Sequence, residues 1–259
     1  MTLYRAYAIA SKVLGLSPFS GIPVILYHRI GTDEDCKRPG VSCTSIHHFS
    51  AHINFLCKAG YYFASLDEIV RYVKKESSLP QRTIVLTFDD GFRDNYEYAF
   101  PILKKTGTKA TLFVNTDFVG KELTGGEAFG AVIPERKNAV YHFLSWNEIE
   151  EMNAYGIDFE PHTHTHVNLI AFDRHEVEQE IILAKTIIEE RLGKKANHFS
   201  YPYGRYNDKV VEIVRGLGFH SAWAVKACNV KEGMDLFILP RKKAGDNLSE
   251  FKTVMSEKV

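Results

Sequence analysis

The 259-residue chain has no surplus of either charge: 32 lysines and arginines stand against 32 aspartates and glutamates. That balance argues against a surface built to hold nucleic acid by counterion release. No apolar run approaches the roughly 18–20 residues of a membrane span. Cysteines number only four, Cys36, Cys43, Cys57 and Cys228, with no C-x-x-C pair and no regular framework. A Cys36–Cys43 bond within a loop is the one pairing to consider. Reduced thiols in a cytoplasmic protein are the expectation. No secretion signal is expected either: Ala8-Ile9-Ala10 has the look of a cleavage site, but Arg5 and Lys12 interrupt any apolar segment around it. Residues 1–20 are expected as an amphipathic helix, Leu3 to Leu14, packed on the domain through Tyr7, Ala10 and Leu14. Peripheral attachment to a membrane surface is the alternative for that helix.

Residues 21–259 read as one domain, and the whole chain has an ordinary 45% of hydrophobic residues from which to build a core. Short apolar runs alternate with helical patterns. Ile22–Tyr27, Thr83–Phe88, Lys109–Val114, Ile157–Phe159, His198–Tyr201, Phe219–Val225 and Phe237–Leu239 are the strand candidates. Helices are signalled by Ser45 before the stretch ending at Cys57, by capping boxes Ser65/Glu68, Ser145/Glu148 and Asp173/Glu176, and by periodic runs at Asn207–Arg215 and Leu248–Met255. Another helix begins at Asn95, with Pro101 marking a kink or second start. Residues 116–143 lack periodicity and read as a long loop over one end of the domain. Strands separated by helices imply a parallel sheet covered by helices, either a barrel or a doubly wound open sheet.

In both architectures the strand C-termini build the active site. Asp89-Asp90-Gly91 ends one strand, His162-Thr163-His164-Thr165-His166 follows another, Tyr201-Pro202-Tyr203-Gly204 a third, and His28 the first. Asp and Gly are ordinary turn formers. Two adjacent acids at a strand end, however, are eased by a cation. Pro161 disfavours helix before the histidines, and H-E-x-x-H is absent, so a zincin helix is excluded. Two imidazoles and a carboxylate form a catalytic metal set that leaves a position open for water. Zinc fits best, and iron or cobalt is also compatible. Spacing alone leaves open which Asp binds the metal and whether His164 displaces a neighbour.

Thr87-Phe88-Asp89-Asp90-Gly91 followed by His162 to His166 resembles the polysaccharide deacetylase family (NodB homology domain, carbohydrate esterase family 4), whose first motifs read T-F-D-D-G and H-S/T-x-x-H. The likeness runs from about Ile22 to Arg241 and includes Leu144 to Ile149 and Tyr201 to Gly204. It implies an α/β fold, a distorted (β/α) barrel usually of seven strands, and metal-dependent removal of acetyl groups from N-acetylated sugars. By the same resemblance Asp90, His162 and His166 are the metal ligands, Asp89 is the base, the Tyr203 N–H helps hold the oxyanion, and His164 is a variable position. The chain departs from the pattern in three places. The third motif lacks its usual Arg and reads Phe199-Ser200-Tyr201-Pro202, no Leu-x-His occurs near the C-terminus, and Glu160-Pro161 stands where small residues are common. The exopolysaccharide poly-N-acetylglucosamine deacetylase branch takes its acid from an N-terminal strand, and Tyr27-His28-Arg29 is similar to that arrangement. His28 is therefore assigned as the acid, with Arg241 as orienter of Asp89. Tyr203 or Trp223 is available to stack on a sugar. The implied partner is a carbohydrate, including a lipid-linked or cell-surface glycan precursor. A cyclic-imide amidase, a formamido-sugar hydrolase and a catalytically weak sugar-binding homologue are the rival readings.

Overall fold

The structure, a computed structural model, describes residues 21–38, 40–130 and 137–256. The helix expected at Leu3 to Leu14 lies outside the described residues, as does part of the expected loop at 116–143. No helix among the described residues is long and apolar enough to cross a membrane.

Strand β1 (Val24–Tyr27) is buried at every position, as a run of Val, Ile and Leu covered on both faces should be. A short β2 (Arg29–Gly31) pairs in parallel with β3 (Cys43–Ser45), enclosing helix α1 (Asp33–Lys37). This fold-back brings Cys36 and Cys43 to a Cα separation of 5.0 Å, and the two form a disulfide. The expectation of reduced thiols is thereby corrected for this pair. Three-residue parallel strands leave no hydrophobic pattern, so the fold-back was not visible in the sequence. Cys57 and Cys228 are free.

Helix α2 (Ile46–Lys58) starts at the Ser45 cap, and β4 (Tyr62–Phe63) leads to α3 (Leu66–Val73), whose capping box closes in both directions. Strand β5 (Thr83–Asp90) is buried along all eight residues. A π-helical turn, Asn95–Ala99, gives way to α4 (Phe100–Thr106) with Pro101 in the first turn, where a missing N–H is tolerated. Strand β6 (Thr111–Val114) follows. The stretch expected as an aperiodic loop instead carries an antiparallel pair, β7 (Glu122–Thr124) and β8 (Val140–His142), around α5 (Gly125–Phe129). Phe118, Phe129, Tyr141 and Phe143 hold it by clustering round Phe92, a packing with no periodic signature.

Helix α6 (Trp146–Tyr155), β9 (Asp158–Pro161), α7 (Arg174–Leu192), β10 (His198–Ser200), α8 (Asp208–Gly216) and β11 (Ser221–Val225) then alternate, before β12 (Leu239–Lys243) and α9 (Leu248–Met255). Strand β12 lies beyond the expected Phe237–Leu239 because three consecutive basic residues, Arg241 to Lys243, disguise it. Its ladders with β11 and β1 fix it as a strand.

Seven parallel strands make a nearly closed barrel in the order β10-β11-β12-β1-β5-β6-β9, with β4 beside β5. Side chains alternate across a strand, and one set faces inward. Val24, Val85, Phe113, Trp223 and Leu239 meet there as an apolar floor, plugged by Leu66 and Ile69 of α3. Trp223 is fully buried in that floor, so the expectation that it stacks on a sugar is corrected. Outside the barrel, α2, α4, α6 and α9 cover one flank through Phe49, Leu103, Ile149 and Phe251, and α7 and α8 cover another through Ile181 and Val214.

Between β9 and β10 no ladder forms among the described residues. The Glu160 carboxylate fills the gap, accepting the N–H groups of Asn197 and His198 at 3.2 and 3.0 Å. Burial, reinforced by Asp158, pushes the Glu160 carboxyl up, and the two N–H donors pull it back. Glu160→Ala removes the acceptor for both donors and is expected to cost about 2–4 kcal/mol. The denaturant midpoint reads this loss, and an unchanged midpoint would show that the seam does not depend on Glu160.

Candidate metal centre

The parity that places Val85 in the floor also turns Thr87 and Asp89 inward on β5, and Arg241 and Lys243 inward on β12. Arg241 is 0% exposed. It lies over the Phe113 ring at 5.0 Å and grips Asp89 with both terminal nitrogens, at 2.6 and 2.7 Å. Ser200 Oγ accepts from the same guanidinium at 2.6 Å and donates to Asp89 at 3.4 Å. Burial pushes the Asp89 carboxyl up, but Arg241, ahead of His162, brings it below the usual carboxylate range.

Asp89, Asp90, His28, His162, His166 and Tyr203 all line one cavity of about 300 Å³ at the C-terminal end of the strands. The structure brings together Asp90, His162 and His166: one ligand atom from each lies within 4.8 Å of the others, and all three residues are buried. Asp90 Oδ1 stands 3.2 Å from His166 Nε2 and 3.5 Å from His162 Nε2. It is buried and accepts no hydrogen bond. The Nδ1 of His162 is paired with the Ser200 carbonyl at 2.8 Å, which leaves the Nε2 lone pair facing the centre. Burial pulls the His162 imidazole down to about 4, with Asp89 opposing, so the ring is neutral at pH 7. Burial pushes Asp90 up, yet His166 foremost holds it well below the usual range, so it is ionised. A carboxylate oxygen and an imidazole lone pair crowded in a buried site repel unless a cation lies between them, and these donors suit a divalent metal.

The backbone here is strained. Among the described residues, five non-glycine residues have left-handed φ, and Asp90 (74°), Thr163 (69°), His166 (57°) and Tyr203 (60°) are four of them. Each such residue costs roughly 1 kcal/mol or more and persists only where its surroundings fix it. Thr163 Oγ1 accepts the His166 N–H at 3.0 Å, and Asn115 Nδ2 donates to the His162 carbonyl. From α7, Glu180 accepts the N–H groups of His164 and Thr165 at 3.0 and 2.9 Å. Gly204 admits no side chain, since a Cβ would stand 2.8 Å from Val225. His164 turns out of the centre to Thr116 Oγ1 at 2.8 Å, which leaves His162 and His166 as the pair facing Asp90. Tyr203 donates from its hydroxyl to the Phe129 carbonyl at 3.3 Å and sets its ring against His166. Burial lowers His28, with Asp90 and Asp89 opposing and Arg241 and Lys243 adding to the fall.

Asn115, Ser200 and Glu180 were missed by the sequence reading. Asn115 follows directly on the apolar run of β6, the same signal that marked Asp89. Glu180 is one of several acids on an exposed helix and carries no such mark.

The sequence profile described as Polysaccharide deacetylase matches residues 76–222, and the chain belongs to that family. It is 26% identical over 214 residues to the poly-beta-1,6-N-acetyl-D-glucosamine N-deacetylase of Staphylococcus aureus (strain MRSA252), covering 78% of this chain and 68% of that one. In three dimensions it is similar to the Streptococcus pyogenes deacetylase PplD in complex with acetate, with a TM-score of 0.76 and 25% identity over 93% of this chain and 100% of that one. It shares its fold with IcaB from Ammonifex degensii, with a TM-score of 0.76 and 24% identity over 92% and 97% of the two chains.

Arg241→Met strands Asp89 as a buried, unpaired charge and is expected to cost about 3–5 kcal/mol at pH 7. The Asp89 carboxyl is lower in the folded state than in the unfolded one. Its stabilising share is therefore complete above the unfolded value near pH 4 and is lost as pH falls through the folded one. Denaturation of both proteins at pH 7 and pH 3 should show the difference between them narrowing on acidification. A constant difference would mean that the pair is not what the variant removes.

Proposed function

We propose that the chain is a metal-dependent N-deacetylase of an N-acetylated sugar or polysaccharide, with zinc as the metal. The observation that carries this reading is Asp90 Oδ1, buried without a donor and facing two imidazole nitrogens, beside a second carboxylate locked by Arg241. Asp90, His162 and His166 would hold the metal, which when bound lowers the pKa of a coordinated water and polarises an amide carbonyl. Asp89 accepts the proton of the attacking water at the carboxylate that Arg241 and Ser200 keep in place. The Tyr203 N–H, set by a left-handed turn beside Gly204, donates to the oxyanion. His28, on the same cavity wall, gives a proton to the departing amine nitrogen. Burial makes its imidazolium the readier to release that proton. The staphylococcal relative's name supports a poly-N-acetylglucosamine-type substrate.

Acetate released from N-acetylglucosamine oligomers by zinc-loaded protein tests the activity directly, and no release from any of them would sink it. Asp89→Asn should abolish turnover with zinc content intact; loss of zinc instead would exchange the roles of Asp89 and Asp90. His28→Ala is expected to lower kcat by roughly 10²- to 10⁴-fold, and His166→Ala to empty the site where His164→Ala leaves it filled.

The Cys36–Cys43 disulfide favours work in an oxidising compartment over the cytoplasm expected from the sequence. Thiol labelling in intact cells should leave this pair unmodified. Ready labelling of both thiols would restore the cytoplasmic reading.

A further inference from the structure

Charge around the cavity is unevenly spread. Its wall at the ends of β11 and β12, Val225 and Lys243, is also the wall of a second depression of about 460 Å³. Lys226, Lys242 and Lys243 line that depression together with Thr253 and Ser256 from the end of α9, and no acidic side chain lines it. Lys226 and Lys243 are exposed. Among the described residues neither has a carboxylate at ion-pair distance, and the Lys226 ammonium lies over the Tyr206 ring at 5.1 Å. Arg241, from the same strand, has its charge taken up by Asp89. In a chain of zero net charge this is a local concentration of like charges, and like charges held side by side are relieved by an anion. The overall balance that argues against a polyanion-coated surface does not bear on one local depression.

We propose that this depression is an anion subsite continuous with the deacetylase cavity. It takes a carboxylate or phosphate carried by the sugar or linkage next to the N-acetylated unit. The inference rests on the deacetylase reading and narrows its substrate class to an acidic glycan or a phosphate-linked amino sugar. The Thr253 and Ser256 hydroxyls donate to the Ser249 and Thr253 carbonyls, so the lysine ammonium groups supply the donors to the oxyanion, and the aliphatic stems of the lysines line the path along which the neighbouring ring lies.

The test compares kcat/KM of the zinc-loaded full chain on three acceptors. They are a neutral N-acetylglucosamine oligomer, an oligomer of the same length alternating with glucuronate, and N-acetylglucosamine on a diphosphate. At low salt at least one anionic substrate should be favoured roughly tenfold, the scale expected of two exposed charge pairs. The gain should sit in KM and shrink as salt rises. Which of the two anionic substrates is preferred identifies the source of the anion. Lys226→Ala should cut the preference several-fold and Lys226→Arg should keep it. Equal or better use of the neutral oligomer overturns the subsite, as does a preference that survives Lys226→Ala combined with Lys243→Ala. Calorimetric binding of two probes that carry no acetamide, an oligoglucuronate and inorganic diphosphate, separates the two readings. Salt-sensitive binding of either probe, weakened by Lys226→Ala, upholds the subsite even if no acetamide is cleaved, and binding of neither overturns it even if the neutral oligomer is cleaved.

Discussion

The pairing of Asp89 with Arg241 inside the barrel is the interaction on which the rest of the site depends. The two residues sit on strands flanking β1, so their contact bridges over that strand rather than lying within one ladder. A buried ion pair is weak evidence for stability, because desolvation consumes most of the attraction and apolar replacements often do as well. Here the geometry is specific: two parallel N–H to oxygen bonds, an aromatic ring beneath the guanidinium and a serine hydroxyl shared by both partners. That arrangement fixes the direction of one carboxylate and leaves the adjacent one, on the left-handed Asp90, turned to the histidines. Two neighbouring acids thereby acquire different tasks, one neutralised by a guanidinium and the other left for a cation.

The strain around the centre follows from the same constraint. A regular strand end would alternate Asp89 and Asp90 to opposite faces; the positive φ at Asp90 brings both carboxylates to one cavity. A comparable bend at His166 turns a second imidazole towards the first. The restraints that hold these conformations come from elsewhere in the chain, Asn115 at the end of β6 and Glu180 on α7. The site is thus assembled by elements far apart in the chain that share no local sequence.

Much of this was legible in the sequence because chemistry and punctuation coincide there. Asp89-Asp90-Gly91 breaks an apolar run, the histidines follow Pro161, and three of the helix starts announce themselves by capping boxes that the structure closes. His28 and Arg241 were named from resemblance. Their placement follows from parity, two residues beyond Leu26 and Leu239 on strands whose inward faces are apolar lower down. Arg241 was nonetheless hard to place from pattern alone, since Arg241 to Lys243 look like a solvated surface. The charge is tolerated only because Asp89 meets it from the far side of β1, a contact long-range in sequence. The Cys36–Cys43 bond and the β7–β8 pair stayed hidden for the same reason, their strands being too short to carry a period. Trp223 shows the converse error: an aromatic near a strand end suggests a sugar platform, and a single register step puts it in the floor.

Closure of the barrel and orientation of the metal-facing residues are not separate problems in this chain. Strands β9 and β10 do not pair by a ladder, and what joins them is Glu160 reaching two N–H groups and His162 Nδ1 meeting the Ser200 carbonyl. The same His162 presents Nε2 to Asp90, and the same Ser200 supports Arg241 through its hydroxyl. A displaced seam would therefore rotate an imidazole and loosen the guanidinium together. This accounts for a bulky buried acid at a position where the resemblance leads one to expect a small residue. With no ladder to close the gap, a side-chain acceptor long enough to cross it is required, and glutamate supplies two oxygens at that reach.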